Sequence, residues 1–284
     1  MRRALTIGIN NYPGTINDLN GCLNDCENWS KMLNACGFHV TKLQDSEATR
    51  ENILNALSDI IGRSTFGDYV VFTYSGHGSQ KLDYSGDELD GYDETLYVYD
   101  GHLVDDELRE ILNYAQPGVH ITVILDSCHS GTATRKANPA LQRKIRFFPT
   151  QYIRGDVPCK KKFLSEESMI ETLLTGCKDN EYSCDAYING SWQGAFSHYA
   201  LKTLNDEFSY KDWHSAIRLH LPNSNYPQSP QLEGSTENKN RIVFGLHEDP
   251  DPVVEEIDGF FKKYWLMIAI VVIAIILITL WVIK

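Results

Sequence analysis

The stretch Val119-His-Ile-Thr-Val-Ile-Leu-Asp-Ser-Cys-His-Ser-Gly131 constrains the fold of this chain more than any other. Residues 119–125 are mostly apolar or β-branched, as in a strand buried in a parallel sheet. The run then stops in small, polar residues. Cys128 therefore stands where a buried strand ends, at the carboxyl edge of the sheet, which is where open α/β sheets place their ligands. A second stretch, Asp68-Tyr-Val-Val-Phe-Thr-Tyr74, has the same design and ends in Ser75-Gly76-His77-Gly78. With the two strands adjacent and parallel, His77 and Cys128 emerge at one edge. A thiol and an imidazole about 3–4 Å apart make a nucleophile and its base. A free thiol has a pKa of about 8.5 and needs such a neighbour to ionise at neutral pH. The glycines flanking His77 let a substrate backbone come close. Taken singly, a cysteine after a strand reads as a small buried hydrophobe and a histidine among glycines as a turn residue. The joint pattern is what points to catalysis.

The rest of the chain alternates strand and helix patterns. A strand over 3–9 is followed by a helix over 17–36, with Leu19, Cys22, Leu23, Cys26, Trp29 and Leu33 on one face and Gly37 as its stop. A strand over 38–43 follows. Thr49, with Asn52 three residues on, opens a helix carrying Ile53, Leu54, Leu57, Ile60 and Ile61 inward. Further on come a helix over 106–114, a strand over 168–175, helices over 194–204 and 208–219, and a short strand over 241–246. Such alternation predicts an α/β fold with a mostly parallel sheet covered on both faces.

Charge is unevenly spread. The 284 residues carry a net charge of -12, which argues against nucleic acid and suits basic peptide segments. Residues 83–94 hold six carboxylates and no cation, without the spacing of an EF-hand loop. Residues 135–162 hold nine lysines or arginines and three prolines, and read as a basic loop or linker. Seven cysteines without a regular framework, and no signal peptide at the start, predict a reducing compartment. Residues 265–283 are uncharged and overwhelmingly apolar, preceded by Lys262 and Lys263. As a helix they span roughly 28 Å, enough to cross a bilayer core. The lysines place the upstream side in the cytoplasm, and Trp265 and Trp281 suit the two interfaces. The expectation is a single-pass, tail-anchored membrane protein with a cytoplasmic catalytic domain.

Tyr74-Ser-Gly-His-Gly78 together with Asp126-Ser-Cys-His-Ser-Gly131 resembles the catalytic pair of metacaspases, the caspase-like cysteine proteases of plants, fungi, protists and bacteria. Leu5-Thr-Ile-Gly-Ile-Asn10, Leu19-Asn-Gly-Cys-Leu-Asn-Asp25, Gly86-Asp-Glu-Leu-Asp-Gly91, Val104-Asp-Asp106 and Thr175-Gly-Cys-Lys-Asp-Asn180 follow the same family in order. The resemblance runs from about residue 4 to about 245. It implies a caspase-like three-layer αβα sandwich and an endopeptidase cutting after arginine or lysine, commonly calcium-activated. His77 and Cys128 are then catalytic. Cys22, Asp25, Ser75 and Asp126 match residues lining the specificity pocket. The residues themselves also favour the two aspartates: Asp126 ends the strand two residues before Cys128, and Asp25 lies early in a helix that can approach the same edge. Backbone N–H groups at Gly78 and Cys128 are expected to hold the oxyanion. Asp93, Asp105 and Asp106 match calcium-binding carboxylates, whereas Arg135 stands where the family has a fourth, which weakens the case for calcium.

The organisation expected is a first part over 1–134 with the dyad, a basic linker over 135–165 containing a self-cleavage region, a second part of the same domain over 166–248, an acidic stalk over 249–263 and a transmembrane helix over 264–283. Two other classes compete. One is a catalytically silent caspase-like membrane scaffold, against which both His77 and Cys128 are present. The other is a metal hydrolase using His77, His129, Cys128 and aspartates, which no zinc-ligand spacing supports.

Overall fold

The apolar runs that end at His77 and Cys128 lie side by side in the sheet. The computed structural model describes residues 1–14, 16–82, 92–128, 143–148, 165–178 and 180–246, and Met1–Leu246 form one unit. In chain order the first elements are β1 (Arg2–Gly8), α1 (Cys22–Ala35), β2 (His39–Gln44), α2 (Arg50–Gly62) and β3 (Tyr69–Ser75). Then come β4 (His77–Leu82), β5 (Tyr92–Val98), β6 (Gly101–Val104), α3 (Asp105–Leu112) and β7 (His120–Asp126). The rest are β8 (Arg143–Ile145), β9 (Glu171–Thr175), β10 (Cys184–Ile188), β11 (Ser191–Gly194), α4 (Ala195–Thr203), α5 (Tyr210–Arg218), β12 (Gln231–Glu233) and α6 (Thr236–Asn240).

Among the described residues the main sheet has six strands in the order β12-β9-β7-β3-β1-β2, all parallel except the edge strand β12. Successive side chains of a strand point to opposite faces, and the core divides accordingly. Leu5, Ile7, Val70, Phe72 and Val123 pack on one face with Ile53, Leu57 and Ile60 of α2 and Leu108 and Leu112 of α3. Ala4, Val71, Ile124 and Leu174 pack on the other with Trp29 and Leu33 of α1, Phe196 and Ala200 of α4, and Trp213 and Ile217 of α5. Burying each large apolar side chain contributes about 1.5–3 kcal/mol. The expected mixed α/β architecture with a mostly parallel sheet is thus present.

Several boundaries differ from the sequence reading. α1 starts at Cys22 rather than residue 17, because the Asn20 and Gly21 N–H groups are spent on the Asp185 carboxylate, at 2.8 and 2.9 Å. α2 does begin after Thr49, whose hydroxyl accepts from Asn52 N–H. The Ser75–Gly78 segment is not a simple turn. His77 begins β4, which forms a small antiparallel sheet with β5 and β6. Residues 241–246 are not a strand: Val243–Gly245 form a 3-10 turn that sinks the Phe244 ring between Trp213, Tyr210 and Phe38. The basic segment is not wholly a surface loop, since Arg143–Ile145 pair with β10. No described helix is long and apolar enough to cross a membrane. The expected span over 264–283, the stalk over 249–263, most of the acidic run over 83–94, His129 and Arg135 lie outside the described residues.

Candidate active site

The register of the sheet fixes the site. β3 and β7 pair so that Ser75 lies opposite Asp126, and the segments holding His77 and Cys128 leave the same edge. Between them runs the chain's own segment 143–148. β8 pairs antiparallel with β10, Lys144 opposite Asp185. Arg146 N–H donates to Ser183 O at 3.1 Å. The Arg146 carbonyl oxygen accepts from two backbone N–H groups at once, Gly78 at 2.9 Å and Cys128 at 3.1 Å. Phe148 N–H donates to Gly78 O at 2.8 Å, and Ser79 Oγ donates to Phe148 O at 2.8 Å. Gly78 must be glycine here, because a Cβ would overlap the Cys128 carbonyl group.

The Arg146 guanidinium is fully buried in an acidic pocket. Nη2 is 2.7 Å from Asp25 Oδ2 and 3.1 Å from Asp185 Oδ1. Nη1 is 3.1 Å from Asp126 Oδ2 and donates to Ser75 Oγ at 2.7 Å. Each carboxylate is held in turn. Asp25 accepts from Gly194 N–H and from Ser75 Oγ, Asp126 from Ser197 N–H and Ser183 Oγ, and Asp185 from Asn20 and Gly21 N–H. Gly21 and Gly194 immediately precede α1 and α4, so helix N-termini help to hold these anions in place. Burial pushes the Asp25 carboxyl up to about 6, against the downward pull of Arg146. Burial also opposes the charge of Arg146, but Asp126, Cys22, Asp25 and Asp185 outweigh it, and its pKa lies well above the ordinary value. Cys22, buried at the start of α1, has its thiol raised by burial, with Arg146 the strongest opposing influence.

His77 lies beside the residues that follow Arg146. Its ring is 4.7 Å from that of Tyr12 and 5.9 Å from that of Phe148. Nε2 is 2.5 Å from Asn17 O. A carbonyl only accepts, so Nε2 carries the hydrogen and Nδ1 keeps a lone pair. Nδ1 is buried and has no hydrogen-bond partner among the described residues. Burial is the main reason the imidazole pKa falls to about 4. The Cys128 sulfur accepts from Ser183 N–H at 2.6 Å. The imidazole and the thiol are therefore not hydrogen-bonded to each other; segment 143–148 is bound by the backbones of both Gly78 and Cys128.

A family model for the metacaspase, peptidase C14 domain matches residues 2–136. Metacaspase-1B of Aspergillus terreus is 34% identical over 285 residues, covering 82% of this chain and 75% of that protein. Metacaspase-1 of Schizosaccharomyces pombe is 34% identical over 288 residues, covering 82% and 67%. The crystal structure of protein GSU0716 from Geobacter sulfurreducens matches with a TM-score of 0.68 at 30% identity, covering 86% of this chain and 98% of that one. The chain belongs to the metacaspase family. Metacaspases are cysteine-type peptidases, that is, hydrolases.

In this metacaspase the structure gathers Asp25, Ser75 and Asp126 around one guanidinium, and Gly78 and Cys128 around one carbonyl. It also brings in residues that sequence reasoning missed. Asp185 and Ser183 come from the segment around β10, Asn17 from the loop before α1, and Tyr12 and Tyr97 from beside His77. Asp185 carries no local signal, because its place beside the pocket comes from the pairing of β10 with β8. Asp93 lies in β5 and its side chain is outside the description. Two residues on, Thr95 pairs with Val104, and Asp105 and Asp106 follow at the start of α3. The ladder thus brings the backbones of these three residues close. Carboxylate oxygens are the donors calcium takes, so the set fits that ion. Among the described residues no three His, Cys, Asp or Glu side chains group for a metal.

Proposed function

We propose that this metacaspase is an arginine-directed endopeptidase whose own segment 143–148 occupies its substrate cleft, and that Arg146–Phe147 is the bond it cuts in itself. One observation carries this reading: the Arg146 guanidinium lies among Asp25, Asp126 and Asp185 while its carbonyl oxygen takes hydrogen bonds from Gly78 and Cys128. A specificity pocket and an oxyanion site would treat a bound substrate in this way. The planar fork of arginine meets partners on both of its terminal nitrogens, a match that a lysine ammonium cannot make. Arginine is therefore the preferred residue, with lysine second.

In this reading the Cys128 sulfur attacks the Arg146 carbonyl carbon. The two N–H groups take up the charge that develops on the oxygen. The thiol proton passes to His77 Nδ1 and on to the nitrogen of Phe147, which leaves as an amine. Asn17 O holds the ring so that Nδ1 is the nitrogen left to carry that proton. Water then attacks the thioester, the carboxylate of Arg146 departs, and the thiol is restored. Terminal mapping of the purified protein by mass spectrometry tests the proposal. The wild type should yield a fragment beginning at Phe147, and Cys128→Ala and Arg146→Gln should not. An enzyme active on arginyl peptides that never yields that terminus would overturn it. The scaffold alternative predicts no turnover of a fluorogenic arginyl peptide by any form.

Two further parts of the reading rest on sequence and family. Asp93, Asp105 and Asp106 are proposed to hold calcium; no chemical step passes through it. Residues 264–283 are proposed to anchor the chain in a membrane with the catalytic unit in the cytoplasm.

A further inference from the structure

We propose that Tyr97 and Tyr12 form a subsite for an aromatic side chain two residues beyond the cut bond, so that the enzyme selects arginine, any residue, then an aromatic. The inference rests on the reading that Arg146 stands before the cut bond, and it concerns the opposite side of that bond.

Phe148 is the second residue after Arg146. Its ring stacks on that of Tyr97, with centroids 3.6 Å apart and planes 7° from parallel. The Tyr12 ring lies 6.4 Å from Phe148 and 5.9 Å from Tyr97, closing a second side. The Phe148 backbone is pinned at both ends, its N–H to Gly78 O and its carbonyl by Ser79 Oγ. In extended chain, residues two apart share a face. The backbone path that delivers Arg146 to the acidic pocket thus delivers the side chain two positions later to the tyrosines.

The subsite is built into the scaffold. Tyr97 is the ladder partner of His77 and also pairs with His102, so its place beside the imidazole is set by strand register. Tyr74 OH bridges the carbonyls of His77 and Tyr97, at 2.8 and 2.9 Å. Tyr12 is buried, its hydroxyl accepting from His77 N–H at 2.8 Å and its own N–H bonded to Asp18. A ring seated on Tyr97 also edges the His77 ring, at 5.9 Å and 69°. An aromatic residue here would therefore help to keep water from the nitrogen that hands a proton to the leaving amine.

The test uses internally quenched peptides with arginine before the cut bond and phenylalanine, leucine or alanine at the second position after it, assayed on the full chain after self-processing. The readout is the ratio of kcat/KM for the phenylalanine and alanine peptides. We expect a ratio of about ten or more for the wild type, as an aromatic stack adds to the burial of a large side chain. Tyr97→Phe should keep the ratio and Tyr97→Leu should bring it close to that of the leucine peptide. Equal rates for the phenylalanine and alanine peptides, with cleavage still after arginine, would overturn the subsite and leave the arginine reading standing. A Tyr97→Leu enzyme slower on both peptides with its ratio intact would make Tyr97 structural and also overturn it. Absence of any cut after arginine would remove the reading beneath it.

Discussion

One guanidinium, that of Arg146, faces three aspartates, and that imbalance makes the pocket sensitive to both charge and pH. In the proposed reading a substrate arginine takes the same place. Asp185→Asn removes one charged partner of Nη2, 3.1 Å away. A hydrogen bond between charged groups contributes roughly 1.5–3 kcal/mol, so KM for an arginyl reporter should rise about ten- to a hundred-fold, with kcat changing less. Asp25 adds the pH dependence. Its pKa with arginine bound is raised to about 6, first by burial, so it is a carboxylate at pH 7 and takes up a proton as the pH falls through that value. The grip on arginine then loosens, and KM should climb between pH 7 and pH 5. Asp25→Asn should flatten that climb, and steady-state kinetics across this range would show it; a KM independent of pH in the wild type would contradict the assignment. Asp25, Ser75 and Asp126 are legible in the sequence because they adjoin the recognisable blocks. Asp185 is not. It sits in a strand whose place beside the pocket is set only when β10 meets β8, and nothing local to Cys184-Asp185-Ala186 announces that meeting.

The elements differ in legibility for the same physical reason. β3 and β7 can be read directly, since strands buried on both faces must be apolar along their whole length. α2 declares itself through Thr49 and the spacing of Ile53, Leu57, Ile60 and Ile61. β8 cannot be read, because Arg143-Lys144-Ile145 has no apolar pattern and becomes a strand only by pairing with β10. β4 is hidden behind the glycines that flank His77 and look like the end of an element. The small sheet it forms with β5 and β6 bears on the calcium proposal. Because Thr95 pairs with Val104, Asp93 approaches the start of α3, where Asp105 and Asp106 stand. In the calcium proposal the carboxylates of these residues supply the oxygen donors that a hard divalent ion takes. Calorimetry on Cys128→Ala protein should show heat on titration to millimolar calcium, and Asp106→Asn should weaken it. A flat titration would end the calcium proposal.

At the scale of the molecule, the proposed cut falls where it cannot separate the parts. β1, β2, β3 and β7 precede Arg146, while β9 and β12 follow it, and β7 pairs with β9 from Ile121–Glu171 to Leu125–Thr175. Apolar contact crosses the same line, with Ile124 and Val71 in one core with Leu174, Phe196 and Trp213. Fragments 1–146 and 147–284 should therefore stay together after cleavage, as one body carrying both His77 and Cys128 and the Asp185 side of the pocket. In the proposed reading, cutting would free the new end at Phe147 and leave the body whole, so that self-processing would open the cleft without dismantling it. The apolar run over 265–283 belongs to the second fragment, which gives the anchor proposal a specific consequence. Membranes washed in high salt after self-cleavage should retain both fragments, the first held only by the shared sheet and core. Alkaline carbonate should then leave fragment 147–284 in the pellet, because nineteen uncharged residues in a bilayer do not depend on electrostatic attachment. Loss of fragment 1–146 in salt would refute the shared body, and release of fragment 147–284 by carbonate would refute the anchor.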